Sequence, residues 1–139
     1  MQADFLLQAD RERSAPVSTL CDLFDRAVAA APEKVALRHC GAALSYREMG
    51  RAVASLAGRL EAIVAPGDVV ALLLPNSIEF QIAYFAALKA LATPALLNPA
   101  YPAAELAPLL RDVTSRAILC GPAIRETLAR LVGDLGAKC

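Results

Sequence analysis

Three kinds of residue in this sequence could do chemistry: carboxylates near helix starts, hydroxyls beside apolar runs, and one imidazole. Ser77 follows the apolar run "VVALLL", where a hydrolase nucleophile would stand. The frame G-x-S-x-G is absent there, and the only histidine, His39, lies far away in a short hairpin-like segment. Hydride transfer through a bound dinucleotide calls for G-x-G-x-x-G after a strand, and nucleotide hydrolysis calls for G-x-x-x-x-G-K-[ST]; neither occurs. Both classes are thereby demoted.

Glu48, Glu79 and Glu105 each fall in the first turn of an expected helix, where the helix dipole favours negative charge. Capping explains them better than acid–base work. In "LLLPNSIEF", Asn76 and Glu79 have the spacing of a capping box, so the N–H groups that an anion would seek are expected to be satisfied internally. This stretch reads as a corner between strand and helix. Tyr46, Tyr84 and Tyr101 read as core rings with hydroxyls at the rim, least clearly Tyr101, which lies in a loop at a strand end. Cys21, Cys40, Cys120 and Cys139 are too widely spaced for a zinc knuckle or a redox pair, and core or surface thiols are expected.

These residues must be positioned by a chain of 139 residues, enough for one domain or a piece of a larger one. Fourteen basic and fourteen acidic residues cancel, and no basic cluster is interleaved with aromatics, so nucleic acid and anionic membranes are not expected partners. The hydrophobic share of 57% is high for a small self-contained domain. It suits a chain that covers both faces of a sheet or lends apolar surface to a neighbour, and self-association through such surface is expected. No apolar run reaches the ~18 residues needed to span a bilayer. Residues 1–16 carry five charges and lack the layout of a signal peptide, which points to the cytoplasm.

Residues 1–16, ending at Pro16, read as a leader or arm, and 17–139 as an α/β unit. Leu20, Leu23, Phe24, Ala27, Val28 and Ala31 form a helical stripe that Ser18 or Thr19 can cap and Pro32 can end. "KVALRH" and "AALSY" flank Cys40-Gly41 as a hairpin. Ser45 and Glu48 form a capping box for a helix that ends near Ala65-Pro66-Gly67-Asp68. "VVALLL" is a strand buried on both faces, followed by an apolar, buried helix over 77–91. "TPALL" is a strand with Pro94 at its start or on an edge. A helix from Glu105 to Val113 contains Pro108, which should kink or shorten it; "RAILC" is a strand, and a last helix stops near Gly136. The order argues for an α/β fold with a largely parallel central sheet, helices on both faces and an N-terminal β-hairpin.

Taken in order, "TLCDLFDRAVAAAPEKVAL", "LSYREM", "PGDVVALLLPNSIEFQIAYFAALKA" and "LATPALLNPAYPAAELAPLLRD" resemble the N-terminal part of the adenylate-forming enzymes, from about Thr19 to Cys120. That superfamily comprises acyl- and aryl-CoA synthetases, peptide-synthetase adenylation domains and luciferases. Leu91 stands where the family commonly has glycine. The resemblance implies that a full-length relative binds ATP with magnesium, joins AMP to a carboxylic acid and passes the acyl group to a thiol such as coenzyme A. The family's phosphate loop, adenine site, ribose-binding aspartate and C-terminal lysine have no counterpart before Cys139. The chain is therefore expected to be the N-terminal structural subdomain of such an AMP-dependent synthetase, inactive by itself and partnered by the remainder. No catalytic, cofactor-binding or metal-binding residue is assigned, and no cofactor is expected on this chain alone. The alternative from another class is an autonomous small α/β binding or interaction protein that kept the scaffold without the chemistry.

Overall fold

Val70, Ala71, Leu72 and Leu73 have no solvent exposure at all. Burial on both faces is what a central parallel strand requires, and the computed structural model, which describes residues 18–132, places them in β3 (Val69–Leu73). It is flanked by β4 (Thr93–Leu96) on one side and β5 (Ala117–Cys120) on the other, both parallel to it. Register pairs Val70 with Pro94 and with Ala117. A separate antiparallel hairpin joins β1 (Val35–His39) to β2 (Ala42–Ser45). The remaining elements are α1 (Leu20–Ala30), α2 (Tyr46–Glu61), α3 (Ile78–Lys89), α4 (Ala103–Asp112) and α5 (Pro122–Val132). The leader expected at 1–16 and the end of the last helix near Gly136 lie outside the described residues.

Alternation along the sheet divides the core in two. Val70, Leu72, Ala117 and Leu119 join the cluster built on Phe24 of α1, Met49 and Val53 of α2, and Ala83 and Ala87 of α3. Ala71, Leu73, Ile118 and Cys120 face the other way, toward Leu106 and Leu110 of α4 and Leu128 of α5. A period of two on β3 thus feeds two helical layers. The expected α/β architecture, with helices on both faces and a hairpin before the sheet, is the one observed. Of α3, only the small residues Ala83, Ala86 and Ala87 are fully buried; its larger side chains are partly exposed.

Local chemistry fixes the corners. Cys40 and Gly41 both have positive φ, at 47° and 82°, as a two-residue hairpin turn of the primed type needs. In the turn Ala65-Pro66-Gly67-Asp68, Pro66 sets the first central residue and Gly67, at φ 88°, the second. Asp68 closes it: its N–H donates to the Ala65 carbonyl at 3.0 Å, and its carboxylate accepts from the Ala65 N–H at 2.8 Å. β4 is an edge strand, as Pro94 demanded. The N–H groups of Thr93 and Leu97 donate to Asp68 and Leu72 of the β3 side, so the alternation turns the proline nitrogen outward.

Three details differ from the expectation. Asn76 does not cap α3: the N-cap is Ser77, whose hydroxyl accepts the Phe80 N–H at 3.2 Å. Starting one residue later lets Ile78 take the first helical position; the helix ends at Lys89 rather than 91. Tyr46 belongs to the first turn of α2 and not to the hairpin. Pro108 sits inside α4 and does not shorten it, the helix running for 10 residues.

Candidate functional site

The loop after β4 begins with a β-turn read directly from its residues. Pro99 occupies the position that suits its fixed φ, the Asn98 side chain accepts the Ala100 N–H at 3.0 Å, and the Tyr101 N–H donates to the Asn98 carbonyl at 3.2 Å. The turn delivers Tyr101, 42% exposed, to the wall of a cleft of 540 Å3. Leu73 at the end of β3, Pro75 beyond it and Gly121 after β5 form further parts of that wall. Ala103 at the start of α4 and Ile124 and Thr127 of α5 complete it. The cleft therefore opens outside the carboxyl ends of parallel strands, where open α/β sheets take ligands.

Its surroundings are apolar. Among the described residues no charged side chain contributes to its lining, and the side-chain polar groups are the hydroxyls of Tyr101 and Thr127. Two helices begin here with their positive dipole ends, α4 with Pro102 at its N-cap and no side-chain cap, and α5 after Gly121. Such a donor set fits neither magnesium, which calls for carboxylate oxygens, nor a triphosphate, which calls for cations. Among the described residues no group of three or more His, Cys, Asp or Glu side chains could hold a metal ion. This surface can supply shape, a hydroxyl and backbone N–H groups.

Of the described residues singled out from sequence, the cleft gathers only Tyr101. Tyr46 lies beside α1 instead, and Tyr84 stacks on Phe80 and meets Phe85 edge-on. Ser77 and Glu79 close the corner at α3. The Glu79 carboxyl is held below its ordinary range, first by its own backbone N–H and then by the Ser77 hydroxyl. The N–H groups that an anion would seek are engaged by the protein, as expected, though with Ser77 and not Asn76 as the cap. Glu48 likewise serves the Ser45 capping box, its carboxylate accepting the Ser45 N–H at 2.8 Å, and Glu105 rests exposed in the first turn of α4. His39 stays in the hairpin, its Nε2 lying 3.5 Å from the Cys40 sulfur. Cys21 is partly buried, and burial raises its thiol pKa; Cys120 is partly buried at the end of β5, and Cys139 lies outside the described residues. Sequence reasoning missed Pro75, Pro99 and Thr127 as wall residues, because only the sheet brings these segments together.

Comparison with known proteins places this architecture. The family model described as "AMP-binding enzyme" matches residues 24–138. A long-chain-fatty-acid-CoA ligase of Haemophilus influenzae is 31% identical over 122 residues, covering 86% of this chain and 22% of that ligase. A plipastatin synthase polypeptide from Bacillus subtilis is 36% identical over 110 residues, or 78% of this chain and 4% of that synthase polypeptide. The crystal structure of ATP-bound MatB from Rhodopseudomonas palustris superposes with a TM-score of 0.75 at 29% identity, covering 85% of this chain and 24% of MatB. The chain spans about a fifth of the length of the ligase it matches.

Proposed function

Because the chain belongs to the AMP-binding enzyme family, we propose that it acts as the N-terminal structural subdomain of an acyl- or aryl-CoA synthetase-like protein. The whole protein would activate a carboxylic acid with ATP and magnesium to an acyl-AMP and then form a thioester. The observation that carries this reading is the chemical poverty of the cleft. It has the right position for a ligand, at the strand ends, and an apolar wall, yet among the described residues its lining holds no cation or carboxylate. Moving a phosphoryl or adenylyl group needs positioned charges that stabilise the transition state. The cleft is then one wall of a larger pocket, and the remainder of the synthetase, the proposed partner, brings the donors. Tyr101 and Thr127 orient whatever lies against that wall.

Similarity to a fatty-acid-CoA ligase favours coenzyme A as the thiol acceptor, and similarity to a peptide synthetase keeps a carrier-protein thiol as the second reading. Either would work in the cytoplasm, where ATP and reduced thiols are abundant; among the described residues no helix is long and apolar enough to cross a membrane. The test is carboxylate-dependent exchange of labelled pyrophosphate into ATP, assayed across a panel of fatty and aromatic acids. We expect no exchange from this chain alone. Turnover above the enzyme-free background would show that the chain contains a complete site and would overturn the reading.

A further inference from the structure

The face on which each helix packs fixes where a parallel strand reached through α5 would lie. Between β3 and β4 the chain passes through α3, whose Ala83 and Ala87 join the cluster of Val70 and Leu72. Between β4 and β5 it crosses β3 in the opposite direction, and α4 lies on the other face, where Leu106 and Leu110 join Ala71, Leu73 and Ile118. Direction and face reverse together, as the constant right hand of such crossovers requires. α5 packs on the α4 face through Leu128. A parallel strand reached through it with the same hand continues away from β3, beyond β5.

The outer side of β5 is suited to receive it. Among the described residues no strand lies there. The Arg116 N–H donates to the Val69 carbonyl of β3 at 2.8 Å, so alternation turns the N–H and C=O groups of Ala117 and Leu119 outward. Sheet edges that face water are commonly blunted by proline or charge. β4 carries Pro94, whereas β5 reads "AILC" and has neither. Apolar side chains of β5 and α5 also stay half-buried on both faces, Leu119 on one, Ile124 and Leu131 on the other. We propose that the outer edge of β5 takes a further parallel strand, an extended apolar segment of the remainder of the synthetase lying beyond α5, paired with the outward groups of Ala117 and Leu119. The inference rests on the reading of the chain as a synthetase subdomain and names the surface through which the remainder docks. Because the added strand is parallel, it ends beside Gly121, and the junction after it opens on the cleft at the side lined by Gly121 and Thr127. That junction can carry charged groups to the cleft.

Hydrogen exchange read amide by amide tests the pairing. In the dilute chain the Leu119 amide should exchange about 100-fold faster than the Ile118 amide, which faces β3. In a chimera that continues this chain with the rest of the Haemophilus influenzae ligase beyond its matched region, the Leu119 amide should slow by about 100-fold. A Leu119 amide as slow as Ile118 in the dilute chain overturns the proposal, because the edge is then covered from within. Slowing that grows with the concentration of the chain alone also overturns it, in favour of a second copy. So does a chimera in which Ile118 is protected and Leu119 stays fast, or in which the outward Leu96 amide of β4 slows instead. If the chimera does not fold, a synthetic peptide of the ligase's next strand and helix, about 30 residues, is added to the chain and read by the same amides with the same outcomes. Pyrophosphate exchange by the chain alone overturns the synthetase reading and leaves these rates as they are. A chimera that catalyses the exchange with Leu119 still fast keeps that reading and sinks the pairing.

Discussion

Single residues hold the helix starts through carboxylates whose pKa records the bond they make. At α2 the Ser45 hydroxyl accepts the Glu48 N–H at 3.3 Å while the Glu48 carboxylate accepts from the Ser45 N–H and hydroxyl, each at 2.8 Å. Those bonds, backbone first, hold the Glu48 carboxyl below its ordinary value of 4.5, and Thr19 does the same for Asp22 at α1, side-chain bond first. A carboxyl whose pKa is lower in the folded than in the unfolded chain binds protons more readily when unfolded. Its stabilisation is therefore complete above the ordinary value and is lost as the pH falls through the folded one. We expect Glu48→Gln, which keeps a capping oxygen but not the charge, to flatten the loss of stability on the acid side of pH 4.5 and leave the slope above it unchanged. Urea midpoints measured from about pH 7 down to about pH 3 check this.

At the scale of the element, both ends of α3 carry a prediction. Its start depends on Ser77: Ser77→Ala should cost about 1 kcal/mol in denaturant unfolding, whereas exposed Asn76→Ala should stay within about 0.5 kcal/mol. Equal losses from the two substitutions would show that both side chains cap the helix. Its end is a Schellman motif, in which the Ala92 N–H reaches the Ala87 carbonyl at 2.9 Å and the Leu91 N–H reaches Leu88 at 3.0 Å. That geometry puts Leu91 at φ 58°, a left-handed conformation that costs a non-glycine residue roughly 1–2 kcal/mol. The side chain is 67% exposed and recovers little by burial. Leu91→Gly should accordingly stabilise the protein by about 1 kcal/mol, less the added entropy of the unfolded glycine, seen as a higher urea midpoint. Leu91 thus takes the left-handed position of the motif, which favours glycine, and the motif forms with leucine in place.

Across the whole molecule, the elements were readable wherever a few neighbouring residues decide the outcome. The hairpin turn at Cys40-Gly41, the Ser45 capping box and the turn at Pro66-Gly67 all rest on interactions within about four residues, and each formed where its sequence put it. β3 was readable as a strand covered on both faces because an unbroken apolar run leaves no polar face for water. The α3 cap was not, since Asn76 and Ser77 both suit the role. The helix that forms caps on Ser77 and carries Ala83 and Ala87 into the core cluster that holds Met49 and Val53 of α2. The cleft lay further still from local rules. It joins Leu73, Tyr101 and Gly121 from three separate strand-to-helix junctions, with Thr127 from within α5, and only the parallel order β4-β3-β5 brings those junctions to one end of the sheet. The sequence by itself determined most of the elements and the family resemblance, because these depend on residue type and short-range spacing. The tertiary structure alone decided that Tyr101 faces a cleft, that Tyr84 is stacked in a ring cluster, and that Leu20 and Leu23 stay exposed on α1, because burial depends on what distant segments cover.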